Sequence, residues 1–215
     1  MSSGDMKYDY IAIEGNIGAG KTSLAKMIAE EYNARLILER FADNSFLPKF
    51  YKDPDKYAFP LEMSFLADRY QQLKDELSRS DMFKSFIIAD YFIDKSLIFA
   101  RKTLQNDEFL LYSRLFGIIN SALPKPDLIL YLYNNVKQLK ENILTRGRDY
   151  EKEIEYSYLE KIQSGYLDYF KTLKGLRIVI VETVNLDFVH NRSDYFRLRE
   201  LLNKNYDEGI HTITF

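Results

Sequence analysis

Five short apolar runs punctuate the chain, at residues 8–14, 35–38, 86–89, 128–133 and 177–181. Most are near-continuous in isoleucine, leucine and valine rather than alternating. That is the pattern of strands buried on both faces of a parallel sheet. Between the runs the apolar spacing changes to three and four. Leu24, Met27, Ile28 and Tyr32 recur at helical intervals after the first run. A second helix is expected from near Asn44, and a long one over residues 56–77. Further helices are expected over 94–105, 108–122, 136–144, 154–173 and 193–203. Pro124 and Pro126 close a helix just ahead of the fourth run. Strand–helix alternation at these lengths predicts a doubly wound α/β fold, a five-stranded parallel sheet with helices on both faces. Its sites are expected at the carboxyl ends of the strands. No linker or internal repeat interrupts the pattern, so residues 7–215 are expected to form one domain. The polar residues 1–6 are expected to be disordered.

Composition narrows the classes of partner. Of the 215 residues, 46% are hydrophobic and 29% charged, as in an ordinary globular protein. A formal net charge of -2 supplies no field that would gather nucleic acid or an anionic membrane. A polyanion must therefore be held by a local site. Cysteine is absent, which leaves no disulfide framework and no thiolate metal site and fits a reducing, cytoplasmic setting. No run is long enough to span a bilayer, and no signal-peptide pattern opens the chain.

The first strand leads into Gly15-Asn16-Ile17-Gly18-Ala19-Gly20-Lys21-Thr22, a P-loop between a strand and a helix. Its glycines let the backbone turn so that several N–H groups point into one concavity. The helix beginning near Lys21 adds free N–H groups and a positive dipole end. Lys21 is suited to the β- and γ-phosphates of ATP and Thr22 to Mg²⁺. Glu39 stands at the end of the second strand. Adjacent strand ends in this fold share a crevice, so Glu39 can face the P-loop and accept a proton from a hydroxyl attacking the γ-phosphate.

Together with the P-loop and the Glu39 segment, "YKDPDKYAFPLEMSFLADRY" resembles the deoxynucleoside kinases. "TRGRDYEKEIEYSYLEKI" resembles the arginine-bearing lid of that family. "IIADYFIDKSLIFARKTL" and "LPKPDLILYL" are most similar to its bacterial deoxyguanosine and deoxyadenosine kinase branch. The resemblance covers residues 7–203 and implies a P-loop nucleoside kinase fold with a lid near 145–155. It implies that Glu39 is the base acting on the 5′-hydroxyl of a deoxynucleoside. Tyr51 and Glu151 would hydrogen-bond the sugar 3′-hydroxyl, Glu62 and Arg69 would read the base, and Arg146 and Arg148 would close over the phosphates. Phosphoryl transfer relies on positioning and positive charge, which fits these residue types. The resemblance also implies a homodimer.

The chain departs from the family pattern in three places. Where most relatives have glutamine it has Glu62, an acceptor-only group when ionised. Guanine presents two adjacent donors, N1–H and the 2-amino group, and arginine pairs with guanine O6 and N7. A preference for deoxyguanosine, with deoxyadenosine second, is therefore expected. After the third strand the family's acidic residue is Asp90, suited to Mg²⁺, but the usual arginine is missing from Asp90-Tyr91-Phe92. Lys95 is the candidate replacement for its charge. Asn142 stands where many relatives have a further arginine.

Weaker signals come from Asn185, Asp187 and Phe188, in the loop where relatives contact the adenine of ATP. His190 and His211 read as ordinary surface residues. Two other functions remain open on the residues alone. A thymidylate-type monophosphate kinase would use Arg40 on the acceptor phosphate, and a nucleotide-binding scaffold would lack turnover. The Tyr51, Glu62 and Glu151 set favours an unphosphorylated nucleoside.

Overall fold

The computed structural model describes residues 6–40, 44–78 and 83–215. Of the segment 1–6 expected to be disordered, residues 1–5 lie outside the described residues, and Met6 packs against the core.

The chain alternates β1 (Tyr10–Gly15), α1 (Lys21–Tyr32), β2 (Arg35–Ile37), α2 (Leu47–Lys52), α3 (Pro54–Leu77), β3 (Ile87–Ala89), α4 (Lys95–Thr103) and α5 (Asn106–Asn120). It continues with β4 (Leu128–Tyr133), α6 (Val136–Arg146), a 3₁₀ turn (Asp149–Glu151), α7 (Tyr156–Phe170), β5 (Arg177–Glu182), α8 (Arg192–Leu201) and β6 (Gly209–Ile213). The sheet is ordered β2-β3-β1-β4-β5-β6, and every described pairing is parallel.

The expected doubly wound architecture is present, with one strand more than the five expected. The sixth, β6, pairs with β5 at the sheet edge, Val179 opposite His211. It is largely exposed and carries only Ile210 and Ile213 as large apolar residues, so it lacks the continuous apolar run that marks a buried strand. The helix expected from Asn44 begins instead at Leu47 and ends at Lys52, because Asp53 leaves helical geometry at φ -147° and caps α3 by accepting from Lys56 N–H.

Strand alternation divides the core between two helical layers. Ile11, Ile13, Leu130, Leu132, Val179 and Val181 face α1, α6 and α8. Ala12, Ile129, Tyr131 and Ile178 face α7 and the start of α4. Tyr10, Ile37 and Ala89 meet α3, α4 and α5 on that second side. Both faces of the central strands are thus covered, which is why β1 and β4 read as unbroken apolar runs. β1 lies between β3 and β4, so the chain crosses from one side of the sheet to the other at its carboxyl end. A crevice opens there.

Candidate active site

The P-loop leaves β1 and turns into α1 through Gly18 and Gly20, whose φ angles of 83° and 87° lie in the left-handed region. A Cβ on Gly18 would come 2.6 Å from the Leu139 carbonyl oxygen, and one on Gly20 would come 2.6 Å from the Phe188 ring. The loop is braced from below. Asn16 is buried and donates to the Leu159 carbonyl at 2.7 Å, and Asn142 donates to the Gly18 carbonyl at 2.8 Å. Lys21 donates to the Asn16 carbonyl at 2.9 Å. Burial, and then the neighbouring Lys95, pull its pKa down to about 8.

The expectation that Glu39 lies on a strand adjacent to the P-loop strand needs correction. β3 stands between β2 and β1, and Glu39 lies two residues past the end of β2. The Glu39 N–H donates to Asp90 Oδ1 at 2.8 Å, while Thr22 Oγ1 donates to Asp90 Oδ2 at 2.5 Å. Asp90 therefore bridges the P-loop helix to the Glu39 segment. Two hard oxygens in this arrangement, one a carboxylate, fit a Mg²⁺ ion shared with a nucleotide's phosphates. Among the described residues no group of three or more His, Cys, Asp or Glu side chains could hold a metal alone.

The Glu39 side chain is only 11% exposed. Lys95 Nζ donates to Oε2 at 2.5 Å, and Arg69 reaches Oε1 through Nε at 2.8 Å and a terminal nitrogen at 2.5 Å. Burial alone would raise the pKa of Glu39. Lys95 and Arg69 outweigh it and hold the carboxyl well below the usual range. Arg69 gives its remaining terminal nitrogen to Ser96 Oγ at 2.8 Å. The two residues expected to read a base together are thus differently placed. Arg69 serves Glu39, whereas Glu62, on the same buried face of α3, bonds Thr103.

Glu62 is 2% exposed, with Oε1 at 3.0 Å from Thr103 Oγ1 and Oε2 buried without a partner. Burial pushes its pKa up to about 7. Tyr51 stacks on Tyr150 with ring centroids 6.3 Å apart and meets the edge of Tyr158. Arg146, the last residue of α6, and Arg148 beyond the Gly147 cap both bond Glu151, on its Oε2 and Oε1.

Two cavities meet here. The smaller, about 100 Å³, is walled by Tyr51, Glu62, Arg69, Lys95 and Glu151 with Phe50, Phe65 and Tyr158. The larger, about 950 Å³, lies over Gly18, Ala19 and Gly20 and against Asn185, Asp187 and Phe188. Lys21, Thr22, Glu39, Asp90, Arg146 and Arg148 line both. Ile17 faces the smaller cavity, while Gly15 and Asn16 lie beneath the loop and line neither. Phe188 packs on Gly20, and Asp187 accepts from the ring and backbone of His190. Arg40 is exposed and lines neither cavity.

Several supporting residues escaped the sequence reading. Gln72 accepts from Tyr91 OH and donates to the Leu38 carbonyl, both at 2.9 Å, fixing the backbone just before Glu39. Its signal was a polar residue three positions after Arg69 on the same helix. Glu14 is fully buried and accepts from Phe92 N–H at 3.0 Å and Tyr166 OH at 2.8 Å. It lay inside an apolar strand, where one acidic residue carries no pattern.

A family model described as deoxynucleoside kinase matches residues 11–206. The deoxyguanosine kinase of Bacillus subtilis (strain 168) is 40% identical over 193 residues, which cover 88% of this chain and 93% of that protein. The deoxyadenosine kinase of Dictyostelium discoideum is 31% identical over 169 residues, covering 76% of this chain and 67% of that one. Among solved structures, the deoxyadenosine kinase from M. mycoides with products dCMP and a flexible dCDP bound superposes with a TM-score of 0.78. That likeness covers 90% of this chain and 98% of that one at 24% identity, and it carries the fold alone.

Proposed function

The chain belongs to the deoxynucleoside kinase family, and from that premise we propose how its two cavities divide the work of moving a phosphoryl group from ATP to the 5′-hydroxyl of a purine deoxynucleoside. The chain is an ATP-dependent deoxynucleoside kinase. The donor occupies the larger cavity, with its phosphates on the P-loop amides and Lys21 and its base toward Asn185–Phe188. The acceptor occupies the smaller one, its sugar against Tyr51 and Glu151 and its base against Glu62. The observation that carries this reading is the set of residues lining both cavities, because a group passing between them must pass those side chains.

At that junction each residue has a task. Glu39 orients the 5′-hydroxyl and takes its proton. A carboxylate held this acidic is a weak acceptor, but transfer through a loose transition state leaves the proton in place until the new P–O bond is well advanced. Lys21, Arg146 and Arg148 gather around the equatorial oxygens. Thr22 and Asp90 would hold Mg²⁺, which would supply neutralising charge to the donor phosphates. The segment near 145–155 acts as the lid of a single kinase unit spanning residues 7–215.

Deoxyguanosine is the favoured acceptor and deoxyadenosine the second. Support comes from the deoxyguanosine kinase at 40% identity and from Glu62, whose two oxygens suit the N1–H and 2-amino donors of guanine. Arg69 is committed to Glu39 and Ser96, so Glu62 carries most of the base recognition. A homodimer in the cytoplasm accompanies this reading through the family resemblance, and sedimentation would measure the former. The monophosphate-kinase alternative loses support, since Arg40 is exposed and lines neither cavity. Steady-state rates with all four deoxynucleosides and with thymidine monophosphate test the assignment. A higher kcat/KM for thymidine or deoxycytidine than for either purine, or turnover of the monophosphate alone, would overturn it. Glu39→Gln is expected to abolish turnover while ATP still binds.

A further inference from the structure

Thr103 ends α4 beside Glu62, and its hydroxyl lies 3.0 Å from two acceptors, Glu62 Oε1 and the Phe99 carbonyl. It has one hydrogen for the two. Threonine inside a helix commonly gives that hydrogen to the carbonyl four residues earlier. With the hydrogen on Phe99, two oxygens face each other at 3.0 Å, and only a hydrogen on Glu62 turns that contact into a bond. The other Glu62 oxygen is buried and unpartnered, a far smaller penalty for a neutral carboxyl than for an anion.

The surrounding charges leave room for either state. Arg69 on α3 and Lys95 on α4 are the cations that act on Glu62, and both are tied to Glu39. Glu39 itself opposes a second negative charge. Glu151 of the 3₁₀ turn is bound by Arg146 and Arg148. Tyr51 on α2, Tyr112 on α5 and Tyr158 on α7 are phenols that burial keeps neutral, and Tyr112 OH donates to the Glu62 carbonyl at 3.4 Å. Burial pushes the Glu62 carboxyl up to about 7, so both states are accessible near neutrality.

We propose that a single hydrogen on Glu62, parked against Thr103, selects the purine. When Glu62 is ionised its two oxygens accept from N1–H and the 2-amino group of guanine. When it is neutral its hydroxyl swings from Thr103 to donate to adenine N1, and its carbonyl oxygen accepts from the 6-amino group. The inference rests on the reading of this cavity as the acceptor site, and makes Thr103 a positioning residue for base choice.

The test measures kcat/KM for deoxyadenosine and for deoxyguanosine separately, at saturating ATP, from about pH 6 to about pH 8, a range that brackets the Glu62 transition. Ionisations of the shared machinery cancel in the ratio. The adenine-to-guanine ratio is expected to fall about tenfold for each pH unit. In Glu62→Gln, whose amide keeps a donor and an acceptor at every pH, the ratio becomes flat and favours adenine. In Thr103→Val the bends of both profiles move to lower pH, because the neutral carboxyl loses the oxygen that receives its hydrogen. A flat ratio in the unaltered protein, or a slope that survives Glu62→Gln, overturns the proposal. An upward move in Thr103→Val overturns the part given to Thr103. Failure to phosphorylate any deoxynucleoside at any pH overturns the site reading, and is told apart from the other failures by the absence of a rate to compare.

Discussion

Lys95 Nζ and Glu39 Oε2 stand 2.5 Å apart, so the lysine five residues after Asp90 delivers a cation to the carboxylate from the start of α4. With Arg69 on the other oxygen, Glu39 stays ionised far into acid. No loss of rate from protonation of Glu39 is expected down to about pH 5. Lys95→Ala should cut kcat/KM by about 10- to 100-fold and bring an acid limb into view between about pH 4 and 6, because removing the charge lets burial raise the pKa. A pH–rate profile of this variant with no new limb would remove Lys95 from that role.

Glu62 gives a stability signature of the opposite sense. Its pKa is raised from 4.5 to about 7, so the folded protein binds the proton more tightly than the unfolded chain does. Its contribution is most favourable below about pH 4.5 and is lost as pH rises through about 7, a spread of about 3 kcal/mol. Glu62→Gln should therefore melt higher than the unaltered protein at about pH 8.5 and close to it at about pH 4.5. Melting curves at the two pH values would read the crossover.

Lys21, lowered to about 8, should regain its proton when phosphates arrive beside it. ATP binding at about pH 8.5 is then accompanied by uptake of a sizeable fraction of a proton, and ATP affinity declines above about pH 8. Calorimetry in buffers of different ionisation enthalpy measures the uptake directly. Lys21→Arg, charged throughout, should show none.

Two glycines separate backbone demand from mere crowding. At Gly18 the φ of 83° and the Leu139 carbonyl 2.6 Å from an added Cβ make alanine doubly unfavourable. Gly18→Ala should cost about 1–3 kcal/mol and weaken ATP binding more than tenfold. Gly165, within α7, would meet the flexible Lys102 side chain, 2.9 Å from its Cε and 3.2 Å from its Cγ, and Ile98 Cγ2 at an ordinary 3.4 Å, with no backbone atom in the way. Gly165→Ala should be neutral or stabilise by up to about 1 kcal/mol, since alanine favours the helix. Denaturant titration and ATP binding on both variants check the contrast.

Neighbouring tyrosines differ in what their hydroxyls do. Tyr131 OH is buried without a partner, whereas Tyr166 OH donates to Glu14 at 2.8 Å. Tyr131→Phe should be neutral or stabilise by about 1 kcal/mol. Tyr166→Phe should cost about 1–3 kcal/mol, because it leaves a buried carboxyl oxygen of Glu14 short of a bond. Equal effects in urea melts would contradict the assignment of hydrogens.

The fold was legible wherever strands are covered on both faces. β1 and β4 announce themselves as apolar runs because α1, α6 and α8 lie on one side and α7 on the other. β6 did not, because an edge strand open to solvent needs no such run. Strand order was equally hidden. The insertion of β3 between β2 and β1 is a long-range choice, and only the bond from Glu39 N–H to Asp90 restores the proximity that adjacency would have supplied. In the site, motif spacing found the P-loop, the family resemblance supplied the arginines, and Glu39 was found from its place at a strand end. Spacing could not say that Arg69 would turn to Glu39 while Glu62 turned to Thr103, since residues seven apart on one helix face are free to choose different partners.

Glu151 pairs with the guanidinium groups of both Arg146 and Arg148 at once. On the proposed assignment of the two cavities, whatever claims its oxygens would loosen its hold on both cations beside the donor phosphates, and whatever claims those cations would free the carboxylate for the sugar. Donor and acceptor would thereby be linked through one shared counter-ion. Linkage requires that the factor by which a nucleoside tightens ATP be the factor by which ATP tightens the nucleoside.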